Sequence, residues 1–340
     1  MEFNKINNKI RVVYFTRRPR NLGNFSLEIY FETVRKNLPD EINPIVCEMP
    51  FESNGFFKRF ANCIYCLFNQ GDVNHVTGDI NYVAIFLKKR KTILTVLDCG
   101  MLQQTSGVKQ FIFKQFWFNL PIRNVKLVTA ISQATKDDIL NYINCDPEKI
   151  KVVYVCVNSN FRESPSTFNK DQPKILQIGT AINKNINRLI DSLIDINCEL
   201  TIIGKIDNEL ILKLKSNKIN YNLIDWRLSD EEIIQQYLRC DILSFVSTLE
   251  GFGMPIVEAN ITGRVVVTSN ISSMPEIAGD AAELVNPFNV ESIRNGFLKV
   301  IENDEHRESL IKKGLENAKR FDSKKIANEY FDLYRQMALN

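Results

Sequence analysis

Two glutamates eight positions apart, Glu250 and Glu258, enclose Gly251, Phe252, Gly253, Met254 and Pro255, and this is the stretch of the chain best suited to chemistry. Asp241 to Val246 before it is a short apolar run that predicts a buried strand. Pro255 predicts the opening of a helix whose first turn carries Glu258 and whose stop is Gly263. At such a junction the leading N–H groups have no partner inside the helix. The backbone from Gly251 to Met254 can therefore donate to phosphate or sugar oxygens, and the helix dipole adds to the attraction. Gly251 and Gly253 remove the side chains that would hold a ligand away. Glu258 is then either a favourable helix start, worth about 0.3–1 kcal/mol, or a bidentate acceptor for vicinal hydroxyls such as those of a ribose. A hydrolytic acid and nucleophile is the other chemistry that two carboxylates suggest. If both lie on one helix, eight residues rise about 12 Å, whereas hydrolytic pairs stand roughly 5 to 9 Å apart. Two separate binding roles fit better.

Gly179 and Thr180 close another strand-like run and precede Lys184 and Asn185, which open an apolar helix. A lysine there can neutralise a diphosphate as a point charge, or it is a solvated lysine at a helix start. Arg17, Arg18 and Arg20, with Gly23, lie between the first strand and the next helix. They suit donor phosphates, an acceptor phosphate or plain solvent.

These residues need a scaffold that brings loop ends together, and the apolar runs supply one. Ile10–Phe15, Asp72–Thr77, Thr92–Leu97, Leu127–Ala130 and Lys151–Val155 read as strands, with helices such as Ser26–Asn37 between them. A second alternation holds Lys174–Ile178, Leu200–Ile203, Asn222–Ile224, Ile242–Phe245 and Val265–Thr268. Alternating strands and helices predict parallel sheets covered by helices, an α/β fold. At 340 residues two domains are expected. The boundaries read as 1–161, a polar linker over 162–173 with two prolines, and 174–320, followed by a helical segment over 321–340. Two Rossmann-like domains facing one another would place ligands at the carboxyl ends of their strands, in the cleft between them.

The series Glu250, Gly251, Phe252, Gly253, Met254, Pro255 and Glu258, followed by Ser269, Asn270, Met274, Pro275, Glu276, Gly279, Asp280, Asn286 and Pro287, resembles the donor-site signature of the retaining glycosyltransferases of family 4. The resemblance spans roughly residues 175 to 335 and is traceable, more weakly, from 10 to 160. It implies the GT-B fold and a last helix that crosses back to the first domain. It also implies retention and a nucleoside-diphosphate sugar, UDP- or GDP-linked, as donor, with no cofactor and no metal. Glu258 would bind the ribose, Glu250 and the backbone of Phe252 to Met254 the sugar, and Lys184 the departing diphosphate. Thr180 and Ala181 stand where the family commonly has an arginine, so Arg264 or the arginines at 17, 18 and 20 would rebuild the phosphate clamp. Leu97 occupies the position of a family histidine, and Asp98 beside it remains as an acceptor-side base or hydroxyl ligand. His75 ends the neighbouring strand and either points into the same cleft or is a satisfied histidine near the sheet edge. The implied activity is sugar transfer to a hydroxyl of a glycan or lipid-linked glycan in surface polysaccharide synthesis. A catalytically inactive nucleotide-binding subunit and a nucleotide-sugar epimerase of the same fold are the alternatives.

Composition narrows the setting. No Asp-x-Asp triplet occurs, and Cys63 with Cys66 is the one Cys-x-x-Cys pair; with no second pair and only the histidines His75 and His306 this does not make a zinc site. The eight cysteines read as buried free thiols. Residues 1–165 carry 22 Lys and Arg against 15 Asp and Glu, and the remainder 21 against 25, so the first half is suited to an acidic partner. No nucleic-acid-binding pattern accompanies that charge, and nucleic acid is set aside. Two segments mix aromatic and basic residues, Phe56–Phe60 and Lys109–Phe118. They read as core stripes or as a peripheral membrane contact of the first domain. No leader and no membrane span are expected, which predicts a cytoplasmic protein, at the inner face of the membrane if that contact is made.

Overall fold

The computed structural model describes residues 9–18, 26–158, 160–205, 207–225 and 227–339. The chain divides into two compact units, one from residues 1–158 with 323–340 and one from 159–322.

The first unit is a six-stranded sheet of β1 (Ile10–Thr16), β2 (Ile42–Glu48), β3 (Val73–Val76), β4 (Thr92–Val96), β5 (Leu127–Ala130) and β6 (Ile150–Val152), in the order β2-β1-β3-β4-β5-β6. All neighbours are parallel. Its strands are runs of Val, Ile and Leu because helices cover both faces. The strand order reverses between β1 and β3, so their carboxyl ends form a topological switch point.

The second unit contains β7 (Lys174–Ile178), β8 (Glu199–Ile203), β9 (Asn220–Ile224), β10 (Ile242–Phe245), β11 (Val265–Ser269) and β12 (Glu283–Val285), again all parallel, in the order β12-β11-β10-β7-β8-β9. Its switch point lies between β7 and β10. Ile175, Leu200, Ile202, Ile242, Val265 and Val267 on the strands pack against Ile186, Leu189, Ile190, Ile293, Phe297 and Val300 on the helices.

Two strands escape the sequence reading, β2 and β12, and both are sheet edges. β2 carries Pro44, which has no ladder donor and is tolerated at an edge. β12 is only three residues long. The stretch predicted as a polar linker is held against the second unit. Phe161 meets Tyr237 edge to face at 5.5 Å, the Arg307 guanidinium lies 3.9 Å over the Phe168 ring, and the Asp241 carboxylate accepts from the N–H groups of Asn169 and Lys174.

The helix Ser323–Ala338 belongs to the first unit, and a buried polar network fastens it there. Tyr334 Oη shares hydrogen bonds with Tyr14 Oη and His75 Nδ1, both at 2.8 Å, and Tyr330 Oη pairs with Tyr30 Oη at 3.0 Å. His75 Nε2 continues the network to Thr95 Oγ1 at 2.7 Å, and Thr95 to Thr129 at 2.6 Å. Tyr30 Oη also donates to the Tyr154 carbonyl at 3.2 Å, and with partners on every member the polar groups can be buried together.

Candidate functional site

Gly179, at the end of β7, has φ +85°, a conformation that strains any other residue. A Cβ there would also approach Lys184 Cε to 3.0 Å, so glycine leaves the lysine stem its path. The turn Ile182–Lys184 then presents Asn183 and Lys184, and Asn185 follows in the left-handed region with φ 59°. Its amide donates to the carbonyls of Val246 (3.0 Å) and Pro287 (2.7 Å), which pins the turn to the end of β10.

Across the switch point the Lys184 ammonium donates to Glu250 Oε1 at 2.6 Å and lies 4.6 Å over the Phe245 ring. Asn183 Nδ2 donates to the Leu249 carbonyl (2.9 Å) and to Glu250 Oε1 (3.3 Å). The side chains of the ion pair are mostly buried, at 19% and 15% exposed, so the attraction is less screened than at an open surface. An ammonium has three donors. One directed at Glu250 leaves capacity for an anionic oxygen. Residues after β11 lock the glutamate's loop: Ser272 Oγ donates to the Glu250 carbonyl at 2.7 Å and accepts from its N–H at 3.2 Å. Ser273 Oγ donates to the carbonyls of Glu250 (3.0 Å) and Phe252 (2.7 Å), and Ser269 Oγ to that of Ser247 (2.6 Å). Beneath the loop the buried atoms Gln177 Oε1, Ser244 Oγ and Ser247 Oγ have no protein partner among the described residues.

The helix that follows is Met254–Thr262, capped by Gly253 at φ 114°. The helix therefore starts one residue before Pro255, and Glu258 is its fifth residue, beyond the first turn. This corrects the sequence reading: the dipole acts within the first turn and does not explain the carboxylate. Glu250 lies in the loop, so the spacing expected for two residues of one helix does not apply either. Phe252 buries its ring edge to face against Phe321 at 5.5 Å, which leaves only its backbone for a ligand.

Glu258 is half-buried, and desolvation pushes its carboxyl up to about 7, against the lowering effect of a hydrogen bond from the Tyr237 hydroxyl. Tyr237 is fully buried on the helix Asp230–Arg239 and binds Glu258 Oε2. Glu258 Oε1 has no protein partner among the described residues. Sequence reasoning missed Tyr237, Asn183, Ser272 and Ser273, since each reaches the site from another element.

Arg264 is not part of a phosphate clamp. It is 2% exposed, and its guanidinium donates to the carbonyls of Tyr237, Leu238, Ser164 and Thr262. It closes helix ends. In the first unit Arg17 follows β1 and pairs with Glu28 at 2.9 Å, and exposed Arg18 donates to the Pro50 carbonyl at 3.1 Å. Arg20 and Gly23 lie outside the described residues. His75 is corrected as a ligand-contact candidate: it is 0% exposed in an inner strand, not at the sheet edge, and both ring nitrogens are hydrogen-bonded. Burial lowers its pKa to about 3, so the imidazole is neutral. Asp98 is exposed beyond the carboxyl end of β4, where Oδ1 accepts from the Gly100 N–H at 2.8 Å.

A lysine, a carboxylate and a helix N-terminus at the switch point of a doubly wound unit define a site for an anionic, hydroxyl-rich ligand. Residues 159–317 match the protein family described as Glycosyl transferases group 1. It is 34% identical over 106 residues to the O-antigen chain mannosyltransferase B of Escherichia coli, covering 31% of this chain and 28% of that protein. It is 27% identical over 213 residues to the O-antigen chain mannosyltransferase RfbU of Salmonella typhimurium, covering 60% and 59%. The chain thus spans less than two thirds of the length of either relative. The structure of HepE from Anabaena in complex with UDP and glucose superposes with a TM-score of 0.78 over 96% of this chain and all of that one, at 17% identity. At that identity the likeness is one of fold, and the fold is GT-B.

Proposed function

We propose that the protein is a retaining, metal-independent glycosyltransferase that moves a sugar from a nucleoside diphosphate to a hydroxyl of a glycan or lipid-linked glycan, in surface polysaccharide synthesis. The observation that carries this reading is the Lys184–Glu250 pair at the switch point of the second unit, beside the start of the helix Met254–Thr262. The O-antigen mannosyltransferases among its relatives support the acceptor class, and HepE bound to UDP and glucose supports the donor class. Retention follows from the family resemblance.

In the transfer, the bond between the anomeric carbon and the diphosphate oxygen breaks as the acceptor oxygen bonds that carbon, and the proton of the acceptor hydroxyl passes to the departing diphosphate. Negative charge grows on the departing diphosphate, and Lys184 with the backbone N–H groups near Gly253 and Met254 meets it. Glu250 accepts from sugar hydroxyls while holding the lysine in place. Glu258, carrying Tyr237 on one oxygen, accepts from the ribose with the other. Asp98, in the first unit, is the acceptor-side group.

The test is nucleoside diphosphate release from UDP- and GDP-sugars, with and without chelator and with glycan acceptors. Release from one donor that chelator leaves unchanged is the expected result. Release abolished by chelator contradicts metal independence. The second reading, a binding subunit without turnover, is favoured by Leu97 at the family's histidine position together with the burial of His75. Nucleotide binding with no release from any donor would establish it.

A further inference from the structure

The helix Phe56–Phe68 has two apolar stripes where a helix on a sheet ordinarily has one. The inner stripe buries Asn62, Cys63 and Cys66. The outer stripe, Phe57, Phe60, Ile64 and Phe68, repeats at helical spacing and is exposed, Phe57 by 85% and Phe68 by 83%. The segment from Gly107 to Asn119 repeats the pattern. Phe113, Trp117 and Phe118 face inward, while Val108 (75%), Phe111 (62%), Ile112 and Phe116 stand in solvent. The sequence expectation of core stripes holds for the inner rows and is corrected for the outer ones.

The two segments are joined. The Arg59 guanidinium lies 4.7 Å over the Trp117 ring, Tyr82 packs on Trp117 at 5.0 Å, and Asn62 donates to Tyr82 Oη at 3.1 Å. Large apolar side chains exposed in rows along two joined segments are the kind of surface that marks an interaction site. Their charges have one sign: Lys58 and Arg59 on one helix, Lys109 and Lys114 on the other, with no Asp or Glu in residues 53–71 or 99–136. The acidic residues adjoining these stretches in sequence are Glu52, Asp72, Asp98 and Asp137. No helix among the described residues is long and apolar enough to cross a membrane.

We propose that this face of the first unit docks on an anionic lipid bilayer, its outer aromatic stripes entering the headgroup layer and its lysines meeting lipid phosphates. An apolar stripe bordered by cations and free of acids is the pattern of an interfacial helix. A protein partner of ordinary composition would leave such a uniform set of cations to be matched one by one. The inference does not rest on the donor chemistry, since it uses residues of the first unit alone.

Co-sedimentation of the full chain with vesicles of phosphatidylglycerol and phosphatidylcholine, and of phosphatidylcholine alone, tests it. Binding to the anionic vesicles is expected, with partition at least about tenfold weaker on neutral ones and at high salt. Two double variants separate the parts: Phe57→Ser with Phe111→Ser, and Lys58→Glu with Lys109→Glu. Each is expected to lower partition at least about tenfold while leaving the thermal transition and soluble nucleoside diphosphate release unchanged. Absence of binding to either vesicle overturns the proposal. So does binding that neither variant reduces. Loss of a concentration-dependent dimer in the serine variant, without vesicle binding in the parent, would make the face an interface between copies of the chain. Loss of donor turnover in the intact protein would strike the functional reading and leave this one standing.

Discussion

Glu258 sits at a cost. Its carboxyl is raised from 4.5 to about 7, mainly by burial, so the charged form is disfavoured in the protein without ligand. Below about pH 4.5 the group is neutral in folded and unfolded chains and the penalty is absent; as pH rises through 7 the penalty grows to about 3 kcal/mol. Glu258→Gln should therefore stabilise the ligand-free protein by about 1–3 kcal/mol near pH 8 and leave it unchanged below about pH 4, as measured by urea unfolding. Equal stability at both pH values would refute the desolvated carboxylate. Instability stored at the proposed ribose site fits the usual trade of stability for function. At this scale Glu250, Glu258 and Lys184 were legible, because charged residues among glycines at a strand end have few structural uses. Tyr237 was not. A tyrosine in an amphipathic helix looks like core until its hydroxyl is seen on the carboxylate.

Among the elements, the attachment of the helix Ser323–Ala338 depends on His75 staying neutral. Its pKa is lowered from 6.5 to about 3 by burial. Above about pH 6.5 both states are neutral and the native network is at full strength. As pH falls below that value the unfolded chain takes up a proton that the native chain refuses, until about pH 3. Stability is lost by up to about 1.4 kcal/mol per pH unit, or about 2 kcal/mol between pH 6.5 and 5. Hydrogen exchange of that helix should accelerate over this range, and His75→Gln should flatten the dependence while lowering stability at neutral pH. An identical pH slope in both proteins would contradict it. The inner strands, all of them found by the sequence reading, are largely runs of β-branched and aliphatic residues packed on both faces. The two it missed, β2 and β12, are edges, where pairing on one side tolerates Pro44 or a three-residue strand. The start of the helix Met254–Thr262 was misread by one residue because the left-handed Gly253, not Pro255, sets its cap.

The whole chain distributes its chemistry unevenly. The first half carries the excess of positive charge and the exposed aromatic face, and the second unit carries the matched family stretch with the lysine, glutamates and helix start proposed to hold a nucleoside-diphosphate sugar. Composition revealed the charge imbalance. It did not reveal which aromatics face outward, since outward Phe111 and Phe116 stand among inward Phe113, Trp117 and Phe118 and only the packing decides which row is covered. Donor turnover by Lys184→Ala and Glu258→Ala, with circular dichroism confirming the fold, tests the proposed donor site of the second unit. Lys184→Ala should lower kcat by about 100- to 1,000-fold, and Glu258→Ala should raise KM by the factor of about 5 to 150 that about 1–3 kcal/mol of lost charged hydrogen bonds implies. Turnover and KM at parental values in both folded variants would contradict it.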